Sequence, residues 1–222
     1  MSSLNARLDA SGTALRSYPR GGLTKRVIDL TLAAVLLVAC LPLMVFIGLL
    51  IAASDPGQVY FGHERIGFGG RRFRCLKFRS MVTDADAVLW RHLAENPAAK
   101  REWESSRKLR HDPRVTRLGR FLRETSLDEL PQLINVIRGD MSLVGPRPIV
   151  LNEIPRYAGS IDAYFSARPG ITGLWQVSGR SDVGYERRVR LDVHYVSNWS
   201  IRTDMLILLK TAKVVFSRDG SY

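Results

Sequence analysis

"TSLDELPQLINVIRGDMSLVGPRP", Thr125 to Pro148, places two adjacent carboxylates, Asp128 and Glu129, just ahead of Pro131 and ends with Arg147 held between Pro146 and Pro148. Neighbouring carboxylates repel, so the pair needs full solvation or a cation. Base is in excess: 33 Lys and Arg against 21 Asp and Glu leave a formal charge of +12. Locally, Ser126 followed by Glu129 has the spacing of a capping box. With Asp128 as the N-cap instead, Pro131 falls in the first turn, where backbone N–H groups lack partners anyway. Either way the carboxylates sit at a helix N-terminus, which favours anions, and capping alone would account for the pattern seen in isolation.

The surroundings add chemistry. Arg123 lies one helical turn upstream, Arg147 is stiffened by its two prolines, and Arg168 and Arg180 bracket the glycine-rich loop "ARPGITGLWQVSGRSD" (167–182). Guanidinium groups pair two-pronged with phosphate oxygens. Two carboxylates in a field of phosphate-seeking arginines suggest a divalent cation between them. Mg²⁺ accepts one or two carboxylates and completes its shell with water and substrate phosphate. The other carboxylate is then free to attack phosphorus. The four histidines and the two cysteines, Cys40 and Cys75, show no metal spacing and no disulfide framework.

Upstream, residues 30–53 carry no charge, enough to cross a hydrocarbon core as a helix. The segment starts too far along the chain for a cleaved signal peptide. Arg16, Arg20, Lys25 and Arg26 precede it, and Arg65, Arg71, Arg72, Arg74, Lys77 and Arg79 follow. A simple span shows base mainly on its cytoplasmic side, and Pro42 near the middle removes a backbone hydrogen bond and bends a helix. A re-entrant hairpin, with both ends on the cytoplasmic face, satisfies both facts. A kinked spanning helix and a buried core helix are the alternatives. The expected organisation is a flexible basic tail (1–24), a re-entrant membrane hairpin (25–54) and a catalytic domain (55–222). The expected fold class is α/β, mainly helical with a small β-hairpin or sheet. A hairpin is expected over 59–81 around Gly69 and Gly70, helices over 84–110 with a break at Pro97, over about 115–123, within 154–165, over 181–197 and over 204–216.

Several motifs resemble the bacterial monotopic phosphoglycosyl transferases, the sugar transferases that initiate exopolysaccharide and O-antigen synthesis. The carriers are "KRVID" (25–29), "RIGFGGRRFRCLKFRSM" (65–81), "DPRVTRLGRFLRETSLDELPQLINVIRGDMSLVGPRP" (112–148) and "RPGITGLWQVSGR" (168–180), within a likeness covering about residues 25–216. The resemblance implies transfer of a sugar 1-phosphate from a UDP-sugar to polyprenyl (undecaprenyl) phosphate at the bacterial inner membrane, with release of UMP. It implies Asp128 as the nucleophile that carries the phosphosugar, Glu129 as the Mg²⁺ ligand, and Arg123, Arg147 and Arg180 on phosphate. Lys77 is grouped with these phosphate ligands, Asp192 and Arg168 stand as further candidates, and Pro42 matches the family's helix break. Leu41 precedes Pro42 where serine is common, and Ile28 stands where phenylalanine is frequent. The chain resembles the compact, exopolysaccharide-type members, for which UDP-glucose or UDP-galactose is the expected donor. A homo-oligomer is compatible with this reading. The rival is a non-catalytic, basic membrane-surface protein that binds lipid and uses the acidic pair only as a cap. A nucleic-acid binder would explain the charge but not the apolar segment.

Overall fold

The computed structural model describes residues 18–106, 109–179 and 184–217. The chain enters a single helix, α1 (Gly22–Ser54), with Pro42 inside it. At 1.5 Å per residue this helix is about 50 Å long. The expected break at Pro42 does not interrupt the helix. Lys25, Asp29, Ala33, Met44, Ile47 and Ile51 are its buried residues, with Leu37 and Cys40 partly buried between them. Their spacings of three and four make one stripe that continues past Pro42, so packing on both sides of the proline holds the two halves in one helical register.

The stripe meets two clusters. Ala33 packs among Leu133, Val136, Met141 and Val144, and Met44, Ile47 and Ile51 pack on Phe78 and Leu122. The "KRVID" motif acts here as rivets. Lys25 Nζ donates to Asp204 at 2.6 Å, and the same buried carboxylate accepts from Tyr195 at 2.6 Å and Trp199 at 3.0 Å. Asp29 accepts the Leu143 N–H at 3.1 Å. The first half of α1 is thus tied into the globular domain.

After α1 come β1 (Tyr60–Ile66) and β2 (Arg72–Phe78), the expected antiparallel hairpin, pairing Phe61 with Lys77, His63 with Cys75 and Arg65 with Phe73. Directly paired residues share a face, so Phe61, His63, Arg65, Phe73, Cys75 and Lys77 lie on one side. The expected helix over 84–110 is two, α2 (Ala85–Glu95) and α3 (Pro97–Ser106), separated where Pro97 ends the first. Next, α4 (Arg117–Glu124) is N-capped by Thr116, whose hydroxyl accepts the Gly119 N–H at 2.8 Å. A Cβ on Gly119 would meet the Ser80 carbonyl oxygen at 2.0 Å, so only glycine lets α4 lie against the exit of β2.

α5 (Gln132–Arg138) lies over the Cys75 side of the hairpin. Its fully buried Asn135 takes the place of a further strand: the side chain accepts the Leu76 N–H at 2.9 Å and donates to the Arg74 carbonyl at 2.8 Å. Beyond it are β3 (Ser142–Val144), α6 (Ile161–Phe165), β4 (Gly170–Thr172), α7 (Tyr185–Ser197) and α8 (Ile201–Ser217). A 3-10 stretch, Leu151–Ser160, precedes α6. β3 and β4 pair in parallel, a feature not expected from the sequence. Gly145 follows β3 so closely against β4 that a Cβ would sit 2.4 Å from the Arg168 carbonyl oxygen. That contact fixes the start of the Pro146-Arg147-Pro148 segment.

Candidate active site

Asp128 and Glu129 lie in a 3-10 turn, Leu127–Glu129, that precedes α5, whose N-cap is Pro131. Ser126 adopts a left-handed conformation (φ 58°) and makes no side-chain cap, so neither expected capping arrangement forms. Leu127 and Leu130, on either side of the dyad, pack on the cluster that includes Met44 and Ile47 of α1. The dyad is therefore carried beside the middle of the apolar helix.

A cation answers the repulsion of the two acids. Lys77 Nζ lies 2.6 Å from Glu129 Oε1 and 3.3 Å from Asp128 Oδ2. Lys77, expected among the phosphate ligands, is placed on the carboxylates themselves. The Asp128 side chain is only 8% exposed while that of Glu129 is 37% exposed. Burial, with Glu129 adding repulsion, pushes the Asp128 carboxyl above its usual range against the pull of Lys77 and Arg123. Burial opposes the Lys77 charge, yet the Glu129 and Asp128 carboxylates hold its ammonium above its ordinary value. Arg123 is anchored by donating from Nε to Ser80 Oγ at 2.8 Å, and Gly119 permits that approach.

Among the described residues no group of three or more His, Cys, Asp or Glu gathers as a metal cage. Mg²⁺ does not need one. The half-open Glu129 carboxylate beside Asp128 is an all-oxygen donor set that fits such an ion, with Glu129 as the residue to hold it.

The open side of the hairpin face leads away from the dyad. His63 lies within the fields of Lys77, Arg65 and Glu153, and burial followed by the two cations holds its imidazole below its ordinary value. Arg65 donates to the Pro148 carbonyl at 3.2 Å and lies 4.0 Å from Glu153. Arg147 stacks over Trp175 with 5.4 Å from guanidinium carbon to ring centre. His63 gave no signal in the sequence beyond sharing the strand alternation with Arg65.

Asp192 is 1% exposed on α7 and accepts from the Tyr157 hydroxyl at 2.8 Å. Burial pushes its carboxyl up to about 7, against that hydroxyl, the Arg147 backbone and the Arg188 and Arg147 charges. A folded-state value above the unfolded one means a stability contribution that is full at acid pH and lost as pH rises through about 7. Because the loss builds up from the ordinary value of 3.8 to about 7, Asp192→Asn should gain more in melting temperature over wild type at pH 8 than at pH 5. Equal differences at both pH values would contradict this account.

Arg168 does not join the site. Its Nε donates to the Gly139 carbonyl at 2.9 Å, while Arg26 donates to the Val136 and Ile137 carbonyls at 2.6 and 2.9 Å. The two guanidiniums cover the open carbonyls at the C-terminal end of α5, where cations are favoured. Arg180 lies outside the described residues.

Comparison with known proteins agrees with this architecture. The family model described as "Bacterial sugar transferase" matches residues 20–218. The chain is 54% identical over 198 residues to a UDP-galactose-lipid carrier transferase of Erwinia amylovora, covering 89% of this chain and 41% of that protein. It is 50% identical over 204 residues to the exopolysaccharide production protein ExoY of Sinorhizobium fredii, covering 92% and 90%. An undecaprenyl-phosphate galactose phosphotransferase of Salmonella typhimurium is 52% identical over 198 residues, covering 89% and 41%. The chain thus spans about two fifths of the Erwinia and Salmonella proteins and nearly all of the Sinorhizobium one. By its sequence along nearly its whole length, the chain belongs to the bacterial sugar transferase family.

Proposed function

We propose that this protein transfers a sugar 1-phosphate from a UDP-sugar to undecaprenyl phosphate, the opening membrane step of exopolysaccharide or O-antigen synthesis. The observation that carries this reading is the Asp128–Glu129–Lys77 cluster, set beside an exposed apolar helix and near Arg123. The names of the Erwinia and Salmonella relatives favour galactose.

In the first step an Asp128 oxygen attacks the sugar-linked phosphorus. The bond to the bridging oxygen breaks, and UMP leaves with the electron pair. In the second, an oxygen of the acceptor phosphate attacks the same phosphorus. The Asp128–phosphorus bond breaks, which restores the carboxylate and yields undecaprenyl-diphosphate-sugar. Lys77 opposes the rise that burial imposes on the Asp128 carboxyl, while Arg123 and Arg147 bind phosphate oxygens whose charge grows in the transition state. Mg²⁺ bound at Glu129 would supply further neutralisation of phosphate charge. The test is UMP release from a panel of UDP-sugars by detergent-solubilised protein with polyprenyl phosphate and Mg²⁺. Release with one donor supports the reading, and no release with any donor from folded protein favours the lipid-binding rival.

The reading also concerns how α1 meets the bilayer. Val35, Leu36, Val38, Leu41, Leu43, Val45, Phe46, Leu49 and Leu50 are exposed, while the buried stripe binds the domain on both sides of Pro42. If α1 crossed the bilayer, the attached dyad, Lys77 and Arg123 would enter hydrocarbon, where charge is costly. We place α1 instead lying along the cytoplasmic leaflet of the inner membrane, with both of its ends on the cytoplasmic side. Single cysteines at Leu23 and Ser54 should both react with an impermeant thiol reagent from the cytoplasmic side. Labelling of the two ends from opposite sides would contradict this placement.

A further inference from the structure

Beyond the dyad, Arg65, Arg147 and Arg188 gather around the Trp175 ring and the Pro146–Pro148 segment. Phe61 pairs with Lys77, and Arg65 lies four residues further along β1, about 13 Å at strand spacing. Arg65 faces the segment that carries Arg147 through the Pro148 carbonyl. Arg188 of α7 stacks over the same Trp175 ring as Arg147, with 4.3 Å from guanidinium carbon to ring centre. Arg188 also lies 5.6 Å from the centre of the Tyr185 ring. Burial and then the nearby Arg147 charge depress the Arg65 and Arg188 guanidiniums, with Glu153 an acid that opposes the effect at both. Arg147 repels both of the others, and the two acids that face the group, Glu153 and Asp192, leave it net positive, which favours a further anion.

A second observation points to the same wall. Among the described residues, three of the buried side-chain polar atoms with no hydrogen-bond partner belong to this stacked group: Trp175 Nε1, Tyr185 OH and Arg188 Nε. Buried polar groups are normally satisfied, so orphans gathered on one wall mark a place where a ligand, or a rearrangement on binding it, completes them. An indole donor, a hydroxyl and a guanidinium beside aromatic faces suit a nucleoside better than bare phosphate.

We propose that Arg65, Arg147 and Arg188, backed by Trp175 and Tyr185, cradle the nucleoside monophosphate half of the donor, the half that leaves. This rests on the phosphotransfer reading above and deepens it. The phosphorus under attack must lie at Asp128 with its sugar attached. The next phosphate along the donor is on the nucleoside side, which places it toward Arg65 and Arg147. The acceptor has the opposite requirement, because its tail stays in lipid. The dyad end of the hairpin packs on α1 through Phe78, whereas Arg65 lies toward the Gly69–Gly70 turn. Lipid phosphate therefore enters at the dyad end and the soluble nucleotide at the arginine end.

The experiment is calorimetric titration of UMP, of inorganic phosphate and of short-chain polyprenyl phosphate into the full chain in nanodiscs. The variants are Arg188→Gln, Arg188→Lys and Trp175→Phe, with Arg190→Gln as the control, since that exposed residue of α7 faces Glu186 at 3.8 Å. Arg188→Gln should weaken UMP about tenfold or more, the loss expected for a charge-assisted bond, and leave polyprenyl phosphate affinity unchanged. Arg188→Lys keeps the charge without the fork and should fall between, Trp175→Phe should weaken UMP but not inorganic phosphate, and Arg190→Gln should match wild type. Wild-type UMP affinity in both the Arg188→Lys and Trp175→Phe proteins overturns the assignment even if Arg188→Gln fails to fold. Loss of polyprenyl phosphate affinity instead of UMP affinity assigns the cradle to the acceptor and also overturns it. A wild-type protein that neither binds UMP nor releases it from any donor overturns the underlying reading. One that releases UMP while the variants bind it normally overturns only the cradle.

Discussion

Replacing Asp128 with Asn is expected to remove UMP release almost entirely, by about three orders of magnitude or more, as losing a covalent nucleophile does. The substitution is nearly isosteric and keeps an acceptor oxygen for Lys77, which donates to Oδ2 at 3.3 Å. Fold and membrane attachment should survive. Burial already presses the carboxyl toward its neutral form, and Lys77 keeps Glu129 as its partner at 2.6 Å, so the neutral amide should not destabilise the protein. The check is UMP release alongside a thermal melt: lost turnover at unchanged or higher melting temperature is the expected pair. Near wild-type release from the Asn protein would reduce the dyad to an electrostatic feature of the turn.

Removing the ammonium should be almost as severe and more informative about mechanism. In Lys77→Met, Asp128 and Glu129 lose the cation that bridges them at 3.3 and 2.6 Å, and Asp128 keeps its burial. Lys77 pulls the Asp128 carboxyl down, so its loss moves that carboxyl further up, and the reactive carboxylate forms only at higher pH. We expect kcat/KM to fall by about a hundredfold near neutrality, in the range that misplacing or neutralising one reacting group costs. The acid limb of the pH–rate profile should shift to higher pH, and raising the pH should recover part of the loss. An unchanged acid limb with lowered activity would mean that Lys77 serves the substrate phosphate alone.

Much of this site could be read in the sequence because its chemistry is local. Asp128 and Glu129 adjoin in the chain, and period-two alternation placed Lys77 on a strand. What stayed hidden depended on contacts between distant segments. The partner of the dyad is Lys77, 51 and 52 residues away, and no local pattern distinguishes a lysine that binds phosphate from one that binds carboxylate. The parallel pair of β3 and β4 escaped because two three-residue strands are too short to show a period. The bond from Arg168 to the Gly139 carbonyl at the end of α5 was hidden for a like reason: the two residues lie 29 apart in the chain. At Pro42 the local rule met tertiary packing. Proline predicts a break, yet the stripe from Lys25 to Ile51 is buried on both sides of it and the helix runs on. Lys25 looked like part of a basic membrane margin and is the buried partner of Asp204, while Asp29 of the same "KRVID" motif accepts from the Leu143 backbone.

The central claim is that Asp128 carries the phosphosugar between donor and acceptor. The most direct measurement is intact and peptide mass spectrometry of purified protein incubated with Mg²⁺ and its UDP-sugar in the absence of polyprenyl phosphate. The account predicts a mass gain of one sugar phosphate on the peptide containing Asp128, equal in amount to the UMP released. That adduct should be discharged by polyprenyl phosphate and absent from Asp128→Asn. UMP release that begins only when acceptor is added, with no adduct in a protein that turns over normally, would contradict it and point to direct transfer within a ternary complex.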